Sequence, residues 1–141
     1  MIDHEKILSK IDQINQYLEE IGEIKPLDFE EYKLSLEKRR SCERLFQITI
    51  ENVMDVYNIL VSNLKLGIPE DEDAVFEKLN KKKIISNKMI DLLKNMKGFR
   101  NILVHKYGEV DDELVFENFD KLQDFELFKT EILEFLKKQK K

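Results

Sequence analysis

The sequence predicts an all-α fold, an antiparallel bundle of about five helices. Only four Gly and two Pro occur among the 141 residues, so few residues interrupt a helix. Apolar residues make up 42% of the chain and recur at helical spacing, as in Ile7, Ile11, Ile14 and Leu18. Turn-forming residues separate these periodic segments, which is the pattern of helices packed side by side.

The five predicted helices differ in length. The first spans about Asp3–Ile21, and the second is a long helix that Asp28 caps and that reaches about Leu66. A short third helix lies around Asp73–Asn80, and Ser86 caps the fourth. The fifth begins at Asp111 or Asp112 and ends at about Lys137. The second helix would exceed roughly 50 Å, so we expect it to bend around Lys38–Ser41 or to extend beyond the domain to meet a partner. Gly98 inside the fourth helix costs about 1 kcal/mol relative to Ala, which indicates close packing there.

Length and composition predict one helical domain over residues 1–141, with a frayed basic tail at 137–141. The single cysteine, Cys42, excludes an internal disulfide and fits a reducing compartment. No apolar run approaches the roughly 18 residues that a membrane span requires. We therefore expect a cytoplasmic protein without a membrane partner.

Positive charge is concentrated in one part of an acidic chain. The net charge is −5, which argues against a protein that coats nucleic acid generally. Residues 81–108, however, carry eight Lys or Arg and a single acid, Asp91. The net charge of this segment is +7, so the net charge of the other residues is −12. Two interpretations stay open: a local phosphate-binding site, or a lysine-rich helix face in contact with solvent.

The candidate catalytic residues lie between Phe99 and Gly108. His105 is one of two histidines, and Arg100 is one of four arginines among 24 basic residues. An Arg in a chain that otherwise uses Lys often marks a site that needs the planar, bidentate guanidinium. Arg100 could therefore bind a phosphate, or it could pair with a carboxylate on a neighbouring helix.

Helical geometry limits how Arg100 and His105 can cooperate. Five residues correspond to about 140° around a regular helix, so the two side chains do not converge on it. Convergence requires that the helix end or widen near Val104, or that a second copy of the helix complete the cleft. We expect both, and hence a homodimer with a shared groove.

These residues suffice for cleavage of RNA without a metal or cofactor. RNA supplies its own nucleophile, the 2′-OH, so His105 would transfer the proton and Arg100 would stabilise charge on the phosphate oxygens. Asn101 could orient His105 or a phosphate oxygen. Lys97, Lys106 and Arg44 are candidate RNA contacts. The expected products are a 2′,3′-cyclic phosphate and a 5′-hydroxyl.

Other polar residues receive structural interpretations. Cys42 is expected to be a small core residue rather than a nucleophile paired with His105. The acidic run Glu70–Asp73 lacks the spacing of metal ligands and fits the N-terminus of a helix. Glu43, Arg44 and Asp55 are expected to form structural or interface ion pairs.

The spacing Arg100, four residues, His105, Lys106, Tyr107 resembles the signature of the HEPN superfamily, in particular its HepT branch. The segment Arg40–Gln47 and Asp55 also fall where that branch would place them, and the resemblance covers about residues 1–120.

The resemblance implies a homodimeric helical bundle whose active sites lie in the cleft between protomers. It also implies an RNase toxin, with transfer RNA a plausible target. Its implied antitoxin is a small nucleotidyltransferase, MntA, which transfers AMP from ATP to the motif tyrosine, Tyr107 here. AMP beside Arg100 would block the groove and repel RNA phosphate.

Two other functions stay open at this stage. The chain could be a non-catalytic subunit that presents substrate or nucleotide to the nucleotidyltransferase. It could also be a dimeric scaffold whose basic segment docks an acidic partner.

Overall fold

Seven α-helices and one turn of 3₁₀ helix run through residues 1–105 and 110–139, the residues that the computed structural model describes. The elements are α1 (His4–Ile24), α2 (Phe29–Leu34), α3 (Leu36–Asn63), α4 (Glu72–Lys81), α5 (Asn87–His105), α6 (Asp112–Glu117), the 3₁₀ turn (Asn118–Lys121) and α7 (Gln123–Gln139). No strand occurs in the described ranges, and the predicted all-α class is confirmed. None of the described helices is long and apolar enough to cross a bilayer.

Helix α3 is the centre of the bundle. The predicted apolar stripe of α1 packs against it and is buried at Ile7, Ile11 and Ile14. On its other side α3 contacts α4 and α5. There the ring of Phe46 lies edge-on to Phe99, with 5.6 Å between the ring centroids. The core therefore holds α5, which carries the candidate site, directly against α3.

Side-chain caps begin most of the helices, as the polar residues before each periodic segment predict. Asp28 Oδ1 accepts a hydrogen bond from the Glu31 N–H at 2.9 Å, and Ser86 Oγ accepts from the Met89 N–H at 3.1 Å. Both predicted caps are confirmed. Each cap satisfies a backbone donor that would otherwise lack a partner in the first turn.

The predicted continuous second helix is wrong, because the chain breaks at Ser35. The backbone of Ser35 is extended (φ −109°, ψ 106°), and its N–H donates to the Tyr32 carbonyl at 3.3 Å, which ends α2. Its Oγ accepts from the Lys38 N–H at 3.1 Å, which begins α3. The predicted bend at Lys38–Ser41 therefore lies inside a regular helix. Leu36, the first residue of α3, is exposed although it follows the buried Tyr32 at helical spacing.

Other boundaries also move. Helix α1 continues through Gly22 to Ile24 instead of ending at Ile21. The predicted last helix is divided into α6, the 3₁₀ turn and α7. Helix α7 includes residues 137–139, part of the tail that we expected to fray, and residues 140–141 lie outside the described ranges.

Close packing at Gly98 is not observed. A Cβ atom added to Gly98 would have no neighbour within 4 Å. Gly98 instead borders an open groove of about 310 Å³, which Ile102, Leu114 and Asn118 also line. The prediction is therefore wrong within one copy of the chain.

Helices α4 and α5 form an antiparallel hairpin that positions the candidate site. At the turn, the Asn80 amide donates to the Ile85 carbonyl at 2.9 Å and to Asn87 Oδ1 at 3.0 Å. At the open end of the hairpin, the first turn of α4 contacts the last turns of α5 through ion pairs. The register of the two helices is thus fixed at both ends.

Candidate active site

Arg100 lies on the face of α5 that packs against α4, and its guanidinium is held on two sides. Its Nη2 donates to Glu72 Oε1 on α4, and its Nε donates to Asn101 Oδ1 at 3.1 Å. The side chain is only 16% exposed. The alternative in which Arg100 pairs with a carboxylate on a neighbouring helix is therefore confirmed, and the carboxylate belongs to Glu72.

A second ion pair lies one turn earlier along the same face. Lys97 Nζ is 3.2 Å from Asp73 Oδ1. Glu72 and Asp73 form the first turn of α4, which Asp71 caps by accepting from the Ala74 N–H at 2.8 Å. The acidic run thus has the predicted position at a helix N-terminus.

The sequence reasoning missed the pairing of these two acids with α5. A signal existed, because residues that pair across an antiparallel helical hairpin lie at similar distances from its turn. The turn of this hairpin lies at residues 82–86. Glu72 and Arg100 lie at roughly similar distances from it along the chain, and so do Asp73 and Lys97. Using that signal would have required knowing that α4 and α5 pack against each other.

His105 is exposed and is the last residue of α5. The helix is regular up to His105 and ends there, one residue beyond Val104, so the end predicted near Val104 is confirmed and no widening precedes it. On a regular helix the side chains of Arg100 and His105 point about 140° apart. One copy of the chain therefore does not bring them together, and a shared site requires a second copy.

The other predicted site residues have different surroundings. The amide oxygen of Asn101 contacts Arg100 rather than His105. Arg44 lies on α3 and lines a groove of about 620 Å³ against the end of α1, together with Glu20 and Glu23. No residue of α5 lines that groove. Tyr107 and Lys106 lie outside the described residues.

The contacts agree with the structural interpretations of Glu43, Asp55 and Cys42, whereas the ion pair expected for Arg44 is wrong within the described residues. Glu43 Oε2 accepts from Arg40 at 2.9 Å, and Asp55 Oδ2 accepts from Lys10 at 3.1 Å, so the predicted ion pairs of these two acids are confirmed. Arg44 forms no ion pair with the carboxylates described. Burial raises the pKa of the Cys42 thiol to about 11, so Cys42 is a poor nucleophile near neutral pH.

Within residues 1–105 and 110–139, no three His, Cys, Asp or Glu side chains come close enough together to bind a metal ion. The described side chains at the candidate site can supply proton transfer by the imidazole of His105 and charge stabilisation by the guanidinium of Arg100.

Comparison with known proteins identifies the family. The model of the family "Ribonuclease HepT-like" matches residues 14–132. The chain is 27% identical to "tRNA nuclease HepT" of Aphanizomenon flos-aquae over 92% of this chain and 89% of that protein. It is 30% identical to "mRNA nuclease HepT" of Shewanella oneidensis, over 86% of this chain and 92% of that one.

A solved structure gives the same result. The chain superposes on a tri-AMPylated Shewanella oneidensis HEPN toxin, solved in complex with an MNT antitoxin, with a TM-score of 0.83 and 29% identity. The match covers 95% of this chain and 99% of that one. The chain belongs to the HepT-like family of the HEPN superfamily.

Proposed function

We propose that this protein is a metal-independent endoribonuclease and the toxin of a toxin–antitoxin pair, active as a homodimer. The observation that carries the proposal is that an exposed imidazole and an anchored guanidinium lie on the last turns of one helix. Membership of the HepT-like family and the nuclease names of two relatives support it.

The proposed reaction is an internal transfer at phosphorus. His105 accepts the proton of the ribose 2′-OH, and the oxygen attacks the adjacent phosphorus. The bond from phosphorus to the 5′ oxygen breaks, and that oxygen takes up a proton. The products are a 2′,3′-cyclic phosphate and a 5′-hydroxyl. Arg100 stabilises the negative charge that grows on the non-bridging oxygens.

Glu72 and Asn101 act as positioning residues for Arg100 in this proposal. A guanidinium has five N–H donors, and the contacts with Asn101 and Glu72 engage one at Nε and one at Nη2. The other donors can face a phosphate. Because the side chain is held from two sides, little rotamer entropy is lost when the phosphate binds. Lys97, Lys106 and Arg44 remain proposed RNA contacts.

A homodimer would bring the side chains of Arg100 and His105 together. Since α5 is regular through His105, a cleft that contains both groups needs Arg100 from one copy and His105 from another. The open groove at Gly98, on α5, is compatible with a second chain that packs beside the site.

An MntA-like nucleotidyltransferase is the proposed antitoxin. The HEPN toxin to which the chain is similar was solved in complex with an MNT antitoxin and is tri-AMPylated. Tyr107, two residues after His105, is the proposed acceptor of AMP. Added phosphate would bring negative charge next to Arg100 and oppose the binding of RNA. Transfer RNA is the proposed target, although the two nuclease relatives are named for different RNAs.

One observation favours a second candidate function. Glu72 already pairs with Arg100, which is how a purely structural arginine would be held. In that case the chain would be a non-catalytic subunit that stimulates its nucleotidyltransferase and never cleaves RNA.

The decisive experiment is cleavage of total RNA by the purified protein with a chelator present, followed by analysis of the end groups. We expect cleavage with cyclic-phosphate ends, and a loss of at least about 100-fold in His105→Ala and Arg100→Ala. His4→Ala is the matched control for the other histidine and should retain activity. Equal cleavage by wild type and both site variants would remove the proposal, as would wild-type protein that leaves RNA intact.

A further inference from the structure

Four exposed lysines lie together at the turn end of the α4–α5 hairpin, opposite to the end that carries Arg100 and His105. We call Lys65, Lys82, Lys83 and Lys138 the lysine patch. Lys83 and Lys138 line one surface cavity of about 460 Å³. Lys82 lines a second cavity, of about 260 Å³, together with Leu64 and Leu66, the two neighbours of Lys65 in the chain. Phe135 borders both cavities, which makes the patch continuous.

The backbone adopts a costly conformation at two positions of the patch. Lys65 has φ 56° and Lys83 has φ 60°, and they are the two non-glycine residues with positive φ in the described ranges. This region costs an L-residue about 1–2 kcal/mol, and Gly would relieve the cost. Both turns nevertheless carry a lysine. Strained backbone is often retained where a side chain has a function.

The patch is strongly positive on an acidic protein. Lys81 and Lys137, both exposed, add two charges beside it, while two acids, Glu131 and Glu134, border it. The carboxylate of Glu131 accepts from Ser86 N at 3.1 Å and from Ser86 Oγ at 2.6 Å, so it is engaged in capping α5. Six lysines against two glutamates give the region a local balance of +4, on a chain whose net charge is −5.

The lysine patch contrasts with the cations beside the candidate site. Lys97 and Arg100 both pair with carboxylates of α4. No patch lysine forms an ion pair with any carboxylate in the described ranges. Asn87, at the turn, lies about 20 Å along α5 from Arg100 and about 27 Å from His105. Within one copy of the chain, the patch is therefore too distant to contact the reacting phosphate.

We propose that the lysine patch binds the phosphate backbone of the RNA substrate at a point remote from the cleaved bond. The inference rests on the proposed ribonuclease function and deepens it, because it implies a substrate long enough to reach both places. Separate, unpaired ammonium groups suit sequence-independent contact with phosphates. A protein interface would need an exposed apolar centre. The apolar residues that line the cavities are buried or half-buried, namely Leu64, Leu66, Ile84, Ile85 and Phe135, and none of the strongly exposed large apolar side chains lines them.

The test compares two triple variants that lose the same charge. The patch variant carries Lys82→Gln, Lys83→Gln and Lys138→Gln. The control variant carries Lys6→Gln, Lys25→Gln and Lys33→Gln, three exposed lysines of α1, the α1–α2 connection and α2. Binding of total transfer RNA is measured at several salt concentrations in a His105→Ala background, so that the RNA stays intact. Cleavage is measured with His105 present, on the long RNA and on an RNA of roughly five nucleotides centred on the cleaved bond.

We expect the patch variant to bind long RNA about tenfold more weakly and its salt slope to fall by about two, since each lost phosphate contact lowers the slope by roughly 0.7. KM for long RNA should rise while kcat and cleavage of the short RNA stay unchanged. The control variant should behave as wild type.

Equal effects of the two triple variants, or an unchanged salt slope in the patch variant, would overturn the inference while wild-type cleavage still supports the proposed function. Loss of binding to the nucleotidyltransferase with RNA affinity intact would also overturn it and would assign the patch to a protein partner. Wild-type protein that neither binds nor cleaves RNA would remove the proposed function itself.

Discussion

At the scale of single residues, the orientation of one guanidinium is central. Arg100 reaches from α5 to Glu72 on α4 and is braced by its neighbour Asn101. These contacts hold the arginine in one orientation, and in the proposed function they also place a carboxylate near the RNA phosphate. The two effects of Glu72, orientation and repulsion, can be separated by kinetics.

We predict that Glu72→Gln lowers kcat by about 3- to 10-fold and leaves KM unchanged or lower. The amide still contacts Arg100 but holds it less firmly, and the negative charge that repels RNA is gone. Asp73→Asn makes the same charge change one residue away, where the partner is Lys97, and should keep kcat within about twofold. An equal fall of kcat in both variants, or none in either, would show that Glu72 does not position Arg100.

The buried thiol of Cys42 gives a pH-dependent prediction. Burial raises its pKa from 9.0 to about 11, so the folded state keeps a proton that the unfolded state releases. The associated stability is complete below pH 9 and is lost as the pH rises toward 11. Between pH 9 and pH 10 the free energy of unfolding of wild type should fall by about 1 kcal/mol more than that of Cys42→Ala.

Urea unfolding of both proteins at each pH measures this difference. The buried tyrosines, Tyr32 and Tyr57, whose pKa values are also raised by burial from 10.0, begin to lower the free energy of unfolding in the same window. Both proteins contain these tyrosines, so their contribution cancels in the difference between wild type and Cys42→Ala. Parallel curves for wild type and Cys42→Ala would contradict the account of Cys42 as a protonated core thiol.

Residue chemistry could be predicted in part. The rarity of arginine and histidine in this chain singled out Arg100 and His105, and the acids at the start of α4 were recognised as a helix N-terminus. The pairing of Glu72 with Arg100 has a signal in the sequence, their similar distances from the hairpin turn, but that signal has meaning only if α4 and α5 pack against each other. Which helices pack together is decided by the whole core and not by local sequence.

Among the secondary-structure elements, apolar periodicity predicts that a helix is present, whereas the position of its ends depends on the hydrogen bonds of single backbone groups. Leu36 follows Tyr32 by four residues and so extends the apolar pattern across Ser35, yet Leu36 is exposed. The pattern therefore predicted one continuous helix. Only the capping geometry of Ser35 reveals the boundary between α2 and α3.

The open surroundings of Gly98 predict how a substitution there changes stability. Because a Cβ would meet nothing within 4 Å, Gly98→Ala should raise the free energy of unfolding by about 0.5–1 kcal/mol through helix propensity alone. Gly22 lies inside α1 with equally open space, so Gly22→Ala is the matched control and should have a similar effect. Chemical denaturation followed by circular dichroism measures both. Destabilisation by Gly98→Ala alone would show that the added Cβ meets a neighbour that one copy of the chain does not supply.

In the whole molecule, the helical bundle holds the candidate catalytic residues and the lysine patch at different places. α5 carries Arg100 and His105 on different faces of its last turns, and the lysine patch lies at the other end of the hairpin. The all-α class could be predicted from composition and periodicity. A homodimer could be predicted only as a condition for a site that contains both Arg100 and His105, since one regular helix cannot bring the two side chains together.

Complementation between two inactive variants decides whether Arg100 and His105 act together across two copies of the chain. Arg100→Ala and His105→Ala proteins are mixed, unfolded and refolded together so that protomers exchange, and RNA cleavage is compared with that of each variant alone. If Arg100 of one copy acts with His105 of the other, each mixed dimer regains one intact site, and an equal mixture should recover about a quarter of wild-type activity. A mixture as inactive as its two components, with mixed dimers demonstrated by mass spectrometry, would contradict a catalytic site shared between two copies.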